Sequence, residues 1–263
     1  MKVMDVEMTP QVNSYVDVHE LEVVKNLNEK KETNSIIVMK RHEMKYVLSE
    51  EQLNYLIEAL KGHMVVDKYG QTSIASIYYD TVDHRLIRNS IEKPNYKEKI
   101  RLRSYGLSYP GKKVFLELKR KVNGVTYKRR VALTEEEAND FLSDKSNYVL
   151  EGQIGKEITY FRDFYKRLVP SFLIIADRTA YYQPNGDLRL TIDRNPRYRV
   201  KDMNLSTSME GEELLPNGGA ILEIKVQQAM PLWLSNILAN GKIYKSSFSK
   251  VGEAYTIYLK ERG

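Results

Sequence analysis

KEKIRLRSYGLSYPGKKVFLELKRKVNGVTYKRRVAL, residues 97–133, is the stretch on which the reading of this chain turns. Between Lys97 and Arg130 it carries twelve Lys or Arg and two carboxylates, Glu98 and Glu117. Lys97, Lys99, Arg101 and Arg103 are all odd-numbered, and a strand sends i, i+2 and i+4 to one face. The next run repeats the device, with Glu117, Lys119 and Lys121 on one face and Val114, Leu116 and Leu118 on the other. Asn123-Gly124 then gives a strong hairpin signal. A two-residue turn there sets Lys119 opposite Lys128 and Glu117 opposite Arg130. Like charges directly opposite destabilise a sheet, so a chain that builds such a face is expected to hold an anion against it. A solvated outer face is the commoner fate of charged alternation, but such a face mixes Lys with Glu, and this one barely does.

The totals fit that expectation. The 263 residues can bury a substantial core, and the net charge of +6 is modestly basic. Residues 97–130 alone carry +10, so the remainder is net acidic. There is no Cys, hence no disulfide and no thiolate metal site. No apolar run is long enough to span a membrane, and the start lacks the apolar core of a signal peptide, so a cytoplasmic location is expected.

Residues 1–34 hold seven acidic and four basic residues with little apolar pattern and read as a mobile or loosely docked extension. The folded domain is expected over 35–263. IIVMKRHEMKYVL (36–48) reads as a strand with Arg41, Glu43 and Lys45 on one face. Ser49 and Gln52 form a capping box for a helix with Leu53, Leu56, Ile57 and Leu60 as its stripe. SIASIYYDT is a second strand, and HRLIRNSIEKPNY a short helix or loop. After the basic hairpin, Thr134 and Glu137 cap an acidic helix, and a longer helix follows around 154–168. SFLIIADRTAYYQ and DLRLTIDRN flank Asn185-Gly186. A two-residue turn there pairs Arg178 with Asp193, whereas a bulged turn at Pro184 would slip the register. GAILEIKVQ is a strand with Glu223 and Lys225 on one face, and Pro231 opens a helix that Gly241 closes. The tail KSSFSKVGEAYTIYL ends the chain.

The polar faces collect Arg41, Lys45, Lys99, Arg101, Arg103, Lys119, Lys121, Lys128, Arg130, Arg178, Arg189 and Lys225, with Glu43, Glu117, Asp193 and Glu223 among them. Each strand's other face is apolar and wants helices over it. The expected fold is therefore α+β: a closed antiparallel β-barrel tunnel with helices packed on the outside and a bore suited to a run of phosphates.

The ordered series RHEMKYVL, IYYDT, KIRLRSY, ELKRK…YKRR, DRTAYY, LRLTIDRN, ILEIKV and SFSK, over roughly residues 38–255, resembles the vacuolar transporter chaperone (VTC) polyphosphate polymerase domain of the triphosphate tunnel metalloenzyme superfamily. The resemblance implies a phosphate cradle of Lys45, Arg101, Arg103, Lys119, Lys128, Arg130, Arg178, Arg189 and Lys250. It implies secondary contacts from Lys225 and Ser249, and it puts Mn²⁺ or Mg²⁺ on Glu223, with Glu43 beside it. Arg41, Lys99 and Lys121 are expected on the substrate side. The implied reaction moves the γ-phosphoryl of ATP to the end of an inorganic polyphosphate chain, by positioning and charge neutralisation rather than a covalent nucleophile.

Hydrolytic members of that superfamily begin with Glu-x-Glu-x-Lys, where this chain has Arg41-His42-Glu43-Met44-Lys45. One carboxylate is replaced by a cation, as in the polymerase branch. A tripolyphosphate or nucleoside triphosphate hydrolase and a non-catalytic polyphosphate-binding module are the alternatives. ATP and polyphosphate are the expected partners, with a membrane protein as a further candidate and no nucleic acid. RNA binding would need Tyr78, Tyr79, Tyr96 or Tyr105 to stack bases, whereas Tyr in strands more often packs a sheet.

Overall fold

The structure, a computed structural model, describes residues 42–123, 125–143 and 147–261. The extension expected at 1–34, the start of the first strand and Arg41 lie outside them. The described strands are β1 His42–Leu48, β2 Val65–Asp80, β3 Tyr96–Tyr105, β4 Lys113–Val122, β5 Val125–Thr134, β6 Val169–Tyr182, β7 Arg189–Arg199, β8 Glu212–Glu213, β9 Ala220–Val226 and β10 Lys245–Ser246. The helices are α1 Glu50–Ala59, α2 Arg85–Ile91, α3 Glu135–Leu142, α4 Gly152–Tyr165, α5 Leu232–Asn240 and α6 Lys250–Lys260.

One antiparallel sheet runs β10-β1-β9-β7-β6-β2-β3-β4-β5, with β8 paired to β7. The basic hairpin has the register that Asn123-Gly124 demands: Val122 pairs with Val125, Lys119 with Lys128 and Glu117 with Arg130. Arg178 likewise pairs with Asp193. Pro184 has no N–H to continue the ladder, so pairing stops where the Gln183 amide donates to the Leu188 carbonyl at 3.1 Å. The turn is wider than two residues, yet the register of a two-residue turn survives.

The closed barrel is corrected. Among the described residues no backbone pairing joins β5 to β10 or β1, so the hydrogen-bonded path stays open. β10, at two residues, offers little edge to pair. Side chains bridge instead: Lys119 of β4 reaches Glu43 of β1 at 3.4 Å, and Lys99 of β3 donates to Ser249 before α6 at 3.2 Å.

Helices cover the apolar face. Both expected capping boxes are present, Ser49 with Gln52 and Thr134 with Glu137. Phe141 of α3 and Ile158 and Phe161 of α4 pack on Ile100, Leu102, Leu116 and Leu118. Burying a side chain of this size stabilises the fold by about 1.5–3 kcal/mol. Leu53 and Leu56 of α1 and Leu234 and Leu238 of α5 cover Leu190, Leu222 and Ile224. Lys166, with a left-handed φ of 60°, ends α4 before the expected 168. The tail, read without a helix, forms α6, capped by Ser49's counterpart Ser249 through the Gly252 amide and burying Val251, Ala254 and Tyr255. Among the described residues no helix is long and apolar enough to cross a membrane.

Candidate functional site

Pairing across β3, β4 and β5 arranges the basic stretch in rows on one face. The outermost row is Lys97, Lys121 and Thr126, and the next is Lys99, Lys119 and Lys128. Behind these come Arg101, Glu117 and Arg130, then Arg103, Phe115 and Ala132. The opposite face carries Ile100 beside Leu118 and Leu102 beside Leu116, all buried. Period-two alternation thus makes one face of the same three strands a cation field and the other a core.

The curled sheet brings this field against β1, β2, β6, β9 and the start of α6 around a cavity of about 400 Å³. Its lining takes Lys99, Arg101 and Arg103 from β3, Glu117 and Lys119 from β4, and Lys128 and Arg130 from β5. Glu43 and Lys45 enter from β1, Arg178 from β6, Glu223 and Lys225 from β9, and Ser249 and Lys250 from the last helix. Thirteen of the sixteen site residues expected from sequence are therefore together. Lys121 shares the face but sits exposed outside the lining, one row beyond Lys119. Arg189 is exposed at the start of β7, its guanidinium 5.2 Å from the Tyr182 ring centre. Arg41 lies outside the described residues.

Ten cations line the cavity against three carboxylates, and each carboxylate is held by several cations. Glu117, 1% exposed, takes Arg101 Nε at 2.8 Å, Arg130 Nε at 2.7 Å and Lys128 Nζ at 2.7 Å, with Arg103 3.9 Å away. Asp193, behind the lining, accepts both arms of Arg178 at 2.6 and 2.7 Å and also the ammonium of Lys250. Lys45 bridges Glu43 at 3.6 Å and Glu223 at 3.9 Å, while Lys225 holds Glu223 at 2.5 Å. Burial would push each of these carboxyls up, but the surrounding cations outweigh it and hold Glu43, Glu117, Asp193 and Glu223 below the ordinary range.

The excess shows on the cations. Burial, aided by Lys45, Lys119 and Lys97, outweighs the pull of Tyr78 and lowers the Lys99 ammonium to about 8. Burial likewise lowers Lys128 to about 8 despite Glu117. Tyr78, not expected from sequence, accepts from Arg101 Nη1 at 2.9 Å. Burial would raise its phenol, but Arg101, Lys99 and Arg103 hold it down to about 7. Ser76 accepts from Arg103 Nε at 3.1 Å. Groups charged with difficulty, packed beside like charges, are what a polyanion would relieve.

Glu43 and Glu223 stand diagonally on paired strands, since Glu43 pairs with Lys225 and Lys45 with Glu223. Among the described residues no three His, Cys, Asp or Glu side chains converge as a metal cage. Two ionised carboxylates fit a hard divalent cation that draws its remaining ligands from phosphate oxygens and water, the usual habit of Mg²⁺.

The VTC domain family model matches residues 40–259, which include every described site residue. The chain belongs to the VTC domain family. No curated protein matches it. Among solved structures it is similar to a putative adenylate cyclase from Bacillus halodurans, at 17% identity and a TM-score of 0.50, over 80% of this chain and 96% of that one. It is also similar to a putative adenylyl cyclase from Hippeastrum described as having a dominant triphosphatase activity, at 17% identity and a TM-score of 0.48, over 81% and 93% of the two chains. The Bacillus halodurans likeness shows that the VTC domain shares a fold with that protein, and nothing about its activity.

Proposed function

We propose that this VTC domain is a polyphosphate polymerase, a phosphotransferase that joins the γ-phosphoryl of ATP to the terminal phosphate of an inorganic polyphosphate chain. The observation that supports it best is the imbalance of the cavity, ten cations against three carboxylates, all three already engaged. A terminal chain oxygen, already ionised, forms the new bond to γ-phosphorus. The bridging bond to the β-phosphate breaks, and its electron pair leaves on ADP. Such a step needs no protein nucleophile and no general base, only alignment and neutralisation of charge on the transferred group.

Arg101, Arg130 and Arg178 offer forked donors held in place by Glu117 and Asp193, so they are preorganised for phosphate oxygens. Lys45, Lys99, Lys119, Lys128 and Lys250 add point charges along the cavity. Glu43 and Glu223 would hold Mn²⁺ or Mg²⁺, which neutralises triphosphate charge when bound. All three cavity carboxylates are ion-paired to cations, so none stands free to take a proton from water, which accords with transfer to phosphate rather than hydrolysis. The cation Arg41, at the sequence position of the first carboxylate in hydrolytic relatives, is in keeping with this.

A gel of products after incubation with ATP and Mn²⁺ tests the reading. Chains growing with time support it, whereas phosphate release from tripolyphosphate without chains would replace it with a hydrolase. Glu223→Gln separates an enzyme from a binding module: in an enzyme, polyphosphate binding persists while turnover is lost.

A further inference from the structure

We propose that Lys93, Lys97 and Lys121 form a second anion-binding site outside the cavity, a lysine rim that grips the part of a linear polyphosphate chain too long for the cavity to enclose. This deepens the polymerase reading and rests on its linear-phosphate substrate.

Lys97 and Lys121 pair directly across β3 and β4, one row beyond the Lys99–Lys119 pairing that enters the cavity. Two successive rungs of lysine facing lysine destabilise a sheet unless something anionic lies on them. Among the described residues neither Lys97 nor Lys121 has an ion-pair partner, and Lys93 touches only the Ser247 hydroxyl, at 3.3 Å. Glu98, next to Lys97, is turned to the opposite face and bound by Arg120, and Glu92, next to Lys93, makes no ion pair with it among the described residues. Burial and the neighbouring Lys121, Lys93, Lys119 and Lys45 push the Lys97 ammonium down. Lys93 reaches Ser247 at 3.3 Å and the cavity's Lys99 reaches Ser249 at 3.2 Å, so rim and cavity meet along one short segment before α6.

The backbone at Lys93 offers a clean way to remove its charge. Lys93 follows the C-cap of α2 with a φ of 56°, the left-handed position where helices ordinarily place Gly. A lysine there carries a backbone cost that glycine would not, so exchange for glycine removes the side chain without adding strain. The rim also lacks what a nucleic acid would want. Tyr96, the exposed aromatic beside it, has the opposite parity to Lys97, so among the described residues the two outermost rows on this face of β3 to β5 carry no ring on which a base could stack. Lysines as mobile point charges suit a flexible chain of repeated phosphates better than a planar group does.

The test compares tripolyphosphate, long-chain polyphosphate and single-stranded RNA by titration calorimetry on the wild type, on Lys93→Gly/Lys97→Gln and on the charge-matched control Lys61→Gln/Lys201→Gln, at two exposed lysines outside the cavity. The double variant is expected to weaken long-chain binding about tenfold, roughly threefold to fivefold for each exposed charge. Tripolyphosphate binding should stay within about twofold, and the control should change neither. Equal losses for tripolyphosphate and long chain, or no loss for either, overturn the rim. So does an equal loss for RNA, which would make it a general polyanion patch. Lys93→Gly alone should keep or raise the melting temperature while weakening long-chain binding. A lower melting temperature would make Lys93 a structural cap and remove it from the site. These are binding measurements, so they fail separately from the polymerase reading. A rim effect without chain synthesis sinks the activity alone, and synthesis without a rim effect sinks the rim alone.

Discussion

Two adjacent rows of the same three strands make opposite bargains with charge. Arg101, Glu117 and Arg130 carry their counter-ion within the row, and Glu117 is buried under four cations. Lys99, Lys119 and Lys128 have none in theirs; Lys119 reaches Glu43 on another strand, and Lys128 leans back one row to Glu117. The arginine row is built to stand without ligand, whereas on the proposed function a phosphate would complete the lysine row. Rigid forks are thereby presented at one depth of the cavity, and adaptable point charges at the next.

The largest effect should come from breaking the arginine row at its centre. Glu117→Gln keeps the shape but leaves the partly buried guanidinium of Arg101 and the buried one of Arg103 without their carboxylate. Breaking a buried ion cluster from one side costs about 3–5 kcal/mol. Urea unfolding should show that loss in ligand-free protein and a smaller one with saturating tripolyphosphate, which can take the carboxylate's place. A loss unchanged by tripolyphosphate would mean that phosphate never reaches this row.

Removing a fork from the same row acts on the chemistry. Arg101→Met should lower kcat/KM for chain synthesis from ATP by about 10²-fold, the usual cost of one preorganised donor. A change within threefold would show that Arg101 serves only Glu117 and Tyr78.

The lysine row should respond with the opposite sign. Lys99→Met removes a desolvated charge from among cations, so the ligand-free protein should gain stability while tripolyphosphate affinity falls about tenfold. The pH dependence follows the same logic. Lys99 and Lys128 have folded-state values lowered to about 8, below their unfolded value. Between about pH 8 and 10 the unfolded chain therefore binds more protons, and these two groups make the free protein more stable as pH rises. Phosphate binding needs them charged, so affinity should fall over the same interval, on the order of tenfold. Stability and affinity moving together would contradict the contrast between the rows.

Much of this was legible in the sequence because charged alternation marks a face directly. Register followed from Asn123-Gly124, which placed Glu117 against Arg130; at Asn185-Gly186 Pro184 left two registers open, and the structure has the one that sets Arg178 against Asp193. What escaped lacked that contrast. SIASIYYDT is apolar at both parities, so nothing indicated that Ser76 and Tyr78 enter the cavity while Ile77 and Tyr79 face the core. The helix that carries Lys250 escaped too, although Val251, Ala254 and Tyr255 had helical spacing; Lys250 itself was placed in the cradle by the family resemblance alone. Arg189 had the right parity, but distance along the strand decides which residues of a face meet the cavity. Closure failed for a related reason: alternation shows that strands share a face, not that the last strand is long enough to pair with the first.

The smallest effect tests whether the two faces of these strands are independent. Glu98, one residue from Lys99 but turned outward, is buried and accepts from Arg120 Nε at 2.6 Å and from the Tyr165 phenol at 3.0 Å. Arg120 has its own second neighbour, Glu157, at 3.9 Å, which Arg129 also holds at 2.8 Å. In Arg120→Met the methionine stem can cover the same apolar surface, and Glu98 keeps the phenol as a donor. The cost should be about 1–2 kcal/mol in urea unfolding, that of a buried acceptor losing one of its partners. Chain synthesis should stay within twofold of wild type, because no part of this pair enters the cavity. A tenfold loss of turnover would instead show that the outer ion pairs set the positions of Lys99 and Lys119, and that the cation field depends on the register of the opposite face.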